Sequence, residues 1–481
     1  MSLILPGNVA SATAAVGFSV ANSCRFNDGD SANLTRTPGS AGSQVKWTKS
    51  VWIKRGILGT TQYIGTAVTG GNEYICQFTS ADKIDWYQYN GSGFDGRILT
   101  TRVFRDCSAW YHFVFVWDTG NASATNRMRI YVNGVEETAF DVDTNPSGGS
   151  ITSSWNDDTA NYIGTYTDSA GYFDGYMAEY VFINNAALTP TSFGEFDDDS
   201  PNIWKPLETV EDLTPGTNGF YLDFKASDNL GNDANGGTDF SETNLAAADQ
   251  CQDSPTNNFC TMNPLDNFYQ QGVFSQGNTK WANAAADYTF GTGTMGMTSG
   301  MWYWECYISA ITTGPADLIG VTARIADVNN KALGEQDDTW GYYNNDGNIW
   351  HDGDEATSYG NTWTAADIIG VYLDLDNLKL YFAKNGTVQN SGTGISITAP
   401  ASTVLGAYLP AISSNAPNPA AKGSYSFNFG NGVFDGTAVS SSNADANGYG
   451  LFEYNPSAGT FDGASKNFLA LCTKNLGSDG G

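Results

Sequence analysis

Basic residues are scarce in this chain of 481 residues. It has 22 Lys and Arg against 51 Asp and Glu, which gives a formal net charge of −29 at pH 7. A surface this negative repels phosphate backbones, so we expect no nucleic-acid partner. The charge is compatible with binding of cations or basic partners, and equally with solubility and self-repulsion among crowded copies.

Paired cysteines and histidine clusters are also missing. The seven cysteines are an odd number without C-x-x-C spacing, and the two histidines, His112 and His351, lie near no cysteine pair. This pattern disfavours both a zinc site and a disulfide framework. Free thiols indicate folding in a reducing cytosol.

Long apolar runs are absent as well. No run approaches the roughly 18 residues of a membrane-spanning helix. The first basic residue is Arg25, so the charged start of a signal peptide is missing. We therefore expect no membrane insertion and no cleaved export signal. Coiled-coil heptads and β-helix repeats are missing too, which argues against an elongated fibre shaft.

Aromatic residues, glycine and short alternating segments are plentiful instead. Aromatics make up 13% of the chain, and there are 55 glycines. Alternating segments such as 110–117 and 301–306 are separated by Asn-Gly and Asp-Gly pairs, which is typical of strands joined by tight turns. The pattern predicts an all-β chain of antiparallel sandwiches. Since its length exceeds one hydrophobic core, we expect two or three domains.

Five aromatic-rich segments follow one another between residues 20 and 200. They are Cys24–Asp28, Thr48–Arg55, Ala109–Phe113, Arg129–Gly134 and Phe173–Glu179. In this order and spacing they resemble the opening strand, the W-x-K strand, the W-H strand, the YVNG hairpin and the closing strand of a LamG or concanavalin A-like jelly roll. The resemblance implies a β-sandwich over residues 1–205.

The C-terminal half carries a different set of motifs. Ser299–Glu305 reads SGMWYWE, and residues 367–376 read DIIGVYLDLD ahead of LYFAKNG at 380–386. These segments resemble the strands of a SPRY domain, itself a concanavalin A-like sandwich, and imply a second β-sandwich over residues 256–481. Between the two, residues 213–216 are typical of a turn and residues 219–224 of a strand, while residues 227–264 are polar with few large apolar side chains. We therefore expect an ordered, largely non-regular, extended connector over residues 206–255.

Two further segments extend the resemblance to the whole chain. Together with residues 192–196 and 253–260, it resembles virion proteins of marine tailed bacteriophages, which are tail-fibre-like or lectin-like. This implies a location on the virion, synthesis in the host cytoplasm, other virion proteins as partners, and either host-surface recognition or capsid decoration. We expect a homo-oligomer, with a trimer as the working hypothesis, because weak lectin sites gain avidity by repetition.

The segment 338–350 is the preferred candidate for carbohydrate binding. Aromatic faces can stack on the apolar faces of sugars while amide and carboxylate groups bond the hydroxyls. The side chains expected to bind a host-surface carbohydrate are Trp340, Tyr342, Tyr343, Asn345 and Trp350. The alternative is that Trp340 and Trp350 are core residues of the second sandwich.

A weaker candidate lies in the first sandwich, over residues 86–90 and Phe94. Strand alternation puts Trp86 and Gln88 on one face and Tyr87 and Tyr89 on the other, so one of the two sets is expected to be buried.

Calcium is the metal that the loops favour. Asp28 and Asp30 supply hard oxygen donors of the kind that Ca²⁺ prefers, although solvated turn acids would look the same. No other cofactor is expected.

No catalytic pattern accompanies these candidates. Glycosidases need two carboxylates flanking a cleft, and neither such a pair nor a Ser-His-Asp pattern stands out. We therefore expect a non-enzymatic protein that recognises host-surface glycans as a tail fibre or receptor-binding appendage. The alternative is a capsid or tail decoration protein that makes only structural protein contacts. A depolymerase is the third and disfavoured hypothesis.

Overall fold

The computed structural model describes residues 18–479 apart from residues 150, 168, 199, 268–271, 285–287, 312–316, 326–330, 352 and 416–421, and it leaves the side chains of 354–357, 415 and 477–479 undescribed. Strands account for 44% of the structure and helices for 6%, which confirms the all-β prediction. The chain divides into two units, Val16–Thr256 and Asn257–Gly481. No helix in these described ranges has the length and apolar character needed to cross a membrane.

The first unit is built from two antiparallel sheets and a small hairpin. Its strands are β1 (Ser23–Phe26), β2 (Asn33–Arg36), β3 (Lys46–Arg55), β4 (Gln62–Thr69), β5 (Asn72–Phe78), β6 (Lys83–Asn90), β7 (Phe94–Val103), β8 (Tyr111–Asp118), β9 (Met128–Val132), β10 (Val135–Glu136), β11 (Phe140–Thr144), β12 (Asn161–Ile163), β13 (Gly175–Asn184), β14 (Gly194–Phe196), β15 (Trp204–Pro206), β16 (Phe220–Leu222), β17 (Ser241–Thr243) and β18 (Gln250–Cys251). Short 3-10 turns occupy Asp28–Asp30, Ala124–Asn126, Pro190–Ser192, Glu208–Asp212 and Ala247–Asp249.

One sheet, here named the covered sheet, has the order β10-β9-β8-β3-β13-β1-β18, with β16 also paired to β13. The other, named the open sheet, has the order β11-β7-β6-β5-β4-β12-β2-β17. Alternate side chains of both sheets point inwards and form one core, in which Trp47 of β3 stacks on Trp117 of β8 at 6.1 Å between ring centroids and lies 5.9 Å from Trp86 of β6.

The covered sheet is buried on both faces. Every residue of β8 and nearly every residue of β3 and β13 is buried, which requires a second layer on the outer side. Residues 186–213 supply part of that layer: Phe193 and Val210 pack on the outer-face residues Val114, Val116 and Val181. Strands β8 and β13 therefore have near-continuous apolar character rather than strict alternation, whereas β3 buries Lys49, Lys54 and Arg55 beside its apolar residues.

Residues 206–255 complete the first unit, whereas we expected an extended connector. Strand β16 pairs with β13, β17 with β2 and β18 with β1, so this segment adds to both sheets. Its few large apolar side chains are the ones that are buried, since Phe220, Leu222 and Phe240 belong to the inter-sheet core. Phe220 and Leu222 lie in the segment 219–224 that the sequence predicts as a strand, whereas the polar composition of the residues that follow hid Phe240. Residues 1–17 of the predicted first sandwich lie outside the described residues.

The second unit is also made of two antiparallel layers. Its strands are β19 (Gly272–Ser275), β20 (Lys280–Asn283), β21 (Tyr288–Thr292), β22 (Met301–Ala310), β23 (Leu318–Thr322), β24 (Thr339–Tyr343), β25 (Asn348–His351), β26 (Asp354–Ser358), β27 (Ile368–Asp374), β28 (Lys379–Lys384), β29 (Thr387–Val388), β30 (Ile395–Ser396), β31 (Leu409–Asn415), β32 (Ser424–Asn428), β33 (Val433–Phe434), β34 (Thr437–Ala438) and β35 (Leu469–Ala470). Two 3-10 turns, Asn390–Gly392 and Pro400–Ser402, and the helix α1 (Thr473–Asp479) complete the unit.

A nine-stranded sheet, β19-β20-β32-β22-β27-β28-β29 with β30 and β35 attached, packs against the six-stranded sheet β21-β31-β23-β24-β25-β26. The C-terminal segment covers the outer face of the larger sheet, because Phe452, Phe461 and Phe468 pack on the outward Tyr303 and Tyr372.

A buried carboxylate anchors this cover. Glu305 of β22 accepts hydrogen bonds from the backbone N–H groups of Glu453 (3.0 Å) and Tyr454 (2.8 Å), from Asn428 Nδ2 (3.0 Å) and from the Tyr303 hydroxyl (2.9 Å). Burial raises the pKa of Glu305 to about 7 in spite of these donors.

Candidate functional site

The structure separates the five side chains predicted to bind carbohydrate in the second unit. Trp340 and Tyr342 share the inward face of β24 and are 1% and 0% exposed. Trp340 stacks on His351 at 4.3 Å between ring centroids, and the Tyr342 hydroxyl donates to the carbonyl of Asn361. Both rings are core residues, so a surface sugar cannot reach them. Here the core alternative holds for Trp340.

The other three predicted residues lie elsewhere. Tyr343 points to the opposite face of β24, where it is 7% exposed and packs with Leu333 and with the half-buried Trp350 at 5.0 Å between ring centroids. Only Asn345, in the turn after β24, is fully on the surface. The prediction treated period-2 strand residues as loop residues, and alternation distributes them over two faces.

The weaker candidate of the first unit has the exposure that the preferred one lacks. On β6, Trp86 and Gln88 point into the core, while Tyr87 and Tyr89 lie on the solvent face of the open sheet. The predicted division of the strand into a buried and an outer set is therefore correct. The outer set is the one available to a ligand.

Five partly exposed rings lie on this face in two neighbouring groups, here together named the aromatic band: Tyr63, Tyr87, Tyr89, Phe94 and Tyr166. Phe94, 44% exposed, lies 5.2 Å from Tyr87 and 5.5 Å from Tyr89 between ring centroids. Tyr63 lies 5.3 Å from Tyr166. The band crosses from β7 to β4, three inter-strand steps or about 14 Å.

Strand register explains why these rings meet. Tyr87 of β6 is opposite Ile75 of β5, which in turn is opposite Thr66 of β4, so the three share the outer face. Ile75 and Thr66 are nevertheless fully buried. The Thr66 hydroxyl donates to the carbonyl of Thr165 at 3.0 Å, so the segment just before Tyr166 takes part in covering this row.

Charged groups hold the rings in place. Arg97 Nε and Nη2 donate to the two carboxylate oxygens of Asp85, each at 2.9 Å, and the guanidinium lies 4.7 Å from the centroid of the Phe94 ring. The hydrogen bond to Asp85 raises the pKa of Arg97. At the other side of the band, the Tyr166 hydroxyl donates to Glu73 Oε1 at 3.0 Å.

Three tyrosine hydroxyls of the band have a raised pKa, those of Tyr63, Tyr87 and Tyr166. Burial raises the pKa of Tyr87, and the Glu73 and Asp85 carboxylates add to that effect. Burial and Glu73 likewise raise the pKa of Tyr63. The band thus presents aromatic faces edged with hydroxyls that can both donate and accept hydrogen bonds.

Sequence reasoning missed three members of this surface. Tyr63 lies on β4 and Arg97 on β7, two strands whose residues alternate between the faces of the sheet. Pairing these strands with β6 would have placed both side chains on the outer face. Tyr166 follows β12 in an irregular segment, so no periodic signal places it over the sheet.

The predicted calcium ligands lie at a separate turn. Asp28 and Asp30 occupy the 3-10 turn after β1, where Asn27 Nδ2 donates to Asp30 Oδ2 at 2.6 Å and burial raises the pKa of Asp28. Ca²⁺ takes about six to eight oxygen ligands, more than this turn supplies from its side chains. Within the described ranges, no group of three or more His, Cys, Asp and Glu is arranged to hold a metal. Calcium at this turn stays a prediction.

Comparisons with known proteins divide the chain in the same way. Residues 27–192 match the concanavalin A-like lectin/glucanases superfamily, and residues 301–432 match the SPRY domain. The chain carries a concanavalin A-like domain and a SPRY domain. The aromatic band lies in the concanavalin A-like domain, whereas Trp340 and its neighbours belong to the SPRY domain.

Individual relatives match shorter stretches. The E3 ubiquitin-protein ligase RKP of Arabidopsis thaliana is 31% identical over 115 residues, which cover 24% of this chain and 8% of the length of that ligase. The SPRY domain of human HERC1 is 21% identical, with a TM-score of 0.25 over 31% of this chain and 87% of that one. A heptameric SAP-like pentraxin from Limulus polyphemus is 15% identical, with a TM-score of 0.26 over 36% of this chain and 80% of that one.

Proposed function

We propose that this chain is a non-enzymatic surface protein of a bacteriophage virion, and that it recognises host-surface glycans through the aromatic band of its concanavalin A-like domain. The site thereby moves from the SPRY domain, where the sequence analysis put it, to the open sheet. The virion location, synthesis in the host cytoplasm, and assembly with other virion proteins rest on the resemblance of the whole chain to tailed-phage virion proteins.

One observation supports the proposal more than any other. The covered sheet has an outer layer made from the chain itself, while the outer face of the open sheet carries the half-exposed rings of the band and is not buried by a comparable layer among the described residues. Contiguous apolar surface of this kind is uncommon on soluble proteins unless it binds something. Rings edged with hydroxyls, a guanidinium and carboxylates have the composition of a sugar-stacking surface.

The non-enzymatic part of the proposal follows from how the nearby acids are used. Hydrolysis of a glycosidic bond needs a carboxylic acid and a carboxylate that both face the sugar. Here Asp85 is paired with Arg97, and Glu73 accepts the hydroxyl of Tyr166. Prolonged incubation with glycans that bind should therefore release no reducing ends.

Repetition of the site would give useful avidity. A shallow stacking surface binds one glycan weakly, and several copies on one particle would raise the effective affinity. We therefore propose a homo-oligomer, with a trimer as the first state to test by light scattering.

The test is a glycan-array and host-cell binding assay with the purified full chain, in the presence and absence of EDTA. The Tyr87→Ala/Phe94→Ala double variant is expected to lose binding, while Trp340→Phe keeps it because that ring lies in the core. An effect of EDTA would support the calcium prediction. Absence of binding to every glycan and cell, together with tight binding to assembled capsids or tails, would overturn the proposal in favour of a decoration protein.

A further inference from the structure

The aromatic band is divided into two groups of rings. Tyr87, Tyr89 and Phe94 form the first group on β6 and β7, and Tyr63 and Tyr166 form the second over β4 and β5. The two groups are two strands apart at their centres, about 10 Å. A single sugar ring can stack on one group but cannot cover both.

A carboxylate lies between the two groups. Glu73 of β5 is directly opposite Tyr89 in the strand register and bonds the Tyr166 hydroxyl, so it is in contact with both sides. In this position it can accept hydrogen bonds from sugar hydroxyls that bridge the groups. The surface between the two ring groups is therefore polar, because the Glu73 carboxylate lies there.

The charges of the band select against acidic ligands. Arg97 is balanced by Asp85 through two hydrogen bonds, whereas Glu73 forms no ion pair with a residue that the structure describes and adds a negative charge at the centre. The chain as a whole has a formal charge of −29. An anionic glycan would meet repulsion at the site and at long range.

We infer that the aromatic band takes a linear, neutral oligosaccharide, laid across the strands so that different sugars stack on the two ring groups. The inference rests on the proposed function and deepens it, because it specifies a chain-internal stretch of a neutral glycan and not a single terminal sugar. Both ring groups must then contribute to affinity for long ligands, while short ligands use only one.

The experiment measures affinity of the full chain for neutral β-linked N-acetylglucosamine and glucose oligomers from monomer to hexamer, with polygalacturonate as the anionic probe. Affinity should rise with length until the band is filled. Tyr63→Ala should weaken hexamer binding about tenfold, the loss of one stacking contact, and should weaken dimer binding less, because a dimer can stack on the group of Tyr87, Tyr89 and Phe94 instead. Tyr63→Phe keeps the ring and should restore hexamer binding.

The controls separate the inference from the proposed function. Phe196→Ala removes an exposed ring of similar accessibility (42%) outside the band and should change nothing. Equal affinity for monomer and hexamer, or preference for polygalacturonate, would overturn the inference while glycan recognition survives. Failure of every oligomer to bind, with intact folding by circular dichroism, would overturn both.

Discussion

The two sheets of the first unit have similar inner faces and different outer faces. On the covered sheet, outward side chains such as Val114 and Val181 are sealed under residues 186–213. On the open sheet, the outward Tyr87 and Phe94 remain in contact with solvent. Aromatic content alone does not separate a core strand from a binding face. What separates them is whether another segment of the same chain covers that face.

The same comparison holds between the two candidate segments. The combination of aromatic rings with Asn and Asp side chains makes residues 338–350 the preferred site in the sequence, ahead of residues 86–94. Trp340 is in the core because the opposing sheet of its own sandwich covers it, whereas no such layer covers Tyr87 among the residues that the structure describes. The difference between a buried ring and a ring on the outer face can be tested by substituting single residues.

The largest effect is expected from the neighbouring pair Trp86 and Tyr87. Trp86→Ala empties a fully buried site between Trp47, Phe115 and Trp117 and should lower the free energy of unfolding of the first unit by about 3–5 kcal/mol. Tyr87→Ala, one residue later on the outer face, should cost about 1 kcal/mol or less. Urea unfolding followed by tryptophan fluorescence measures both, and equal costs would contradict the division of β6 into two faces.

A smaller effect is expected at the anchor of the second unit's cover. The folded-state pKa of Glu305 is about 7, above the ordinary value of 4.5, so the folded state binds more protons between these values. The stability that this group contributes is present below about pH 4.5 and is lost as the pH rises through 7. The unfolding free energy of the wild type should fall between pH 5 and about 8. In the Glu305→Gln variant this fall should be smaller by roughly 1–3 kcal/mol.

Glu179 of the first unit, whose pKa burial also raises to about 7, contributes a slope of the same sign and stays unchanged in that variant. Denaturation at several pH values, with the wild-type chain alongside, isolates the difference. A variant whose pH profile matches that of the wild type would show that Glu305 does not titrate in this range.

The smallest effect is expected at Arg97. Arg97→Lys loses the two-point contact with Asp85 and the flat stacking on Phe94, because an ammonium cannot reproduce the planar fork of a guanidinium. The Arg97 side chain is 27% exposed, so the unfolding free energy should fall by only about 0.5–1 kcal/mol. Glycan affinity should fall more clearly, because Phe94 loses its support. Titration calorimetry measures the loss of glycan affinity, and the same denaturation assay measures the loss of stability.

Much of the fold could be predicted from the sequence. Alternation and Asn-Gly turns indicate antiparallel sandwiches, and Thr48–Arg55 and Met301–Glu305 lie in the strands β3 and β22 as expected. The place of residues 206–255 in the first unit could not be predicted, because the strand at 219–224 carries no signal of its distant partner β13 and Phe240 stands alone in a polar segment. The site was misplaced for a related reason: burial of Trp340 depends on the opposing sheet, which no local pattern contains.

Hydroxyl-radical footprinting of the full chain, with and without a glycan that it binds, tests the central claim most directly. Without ligand, Tyr63, Tyr87, Tyr89 and Phe94 should be labelled, and Trp340 and Tyr342 should not. With ligand, the labelling of the band should fall, and the two core residues should stay unlabelled. Unchanged labelling of the band, or labelling of Trp340 that the glycan protects, would contradict the assignment of the open sheet as the binding face.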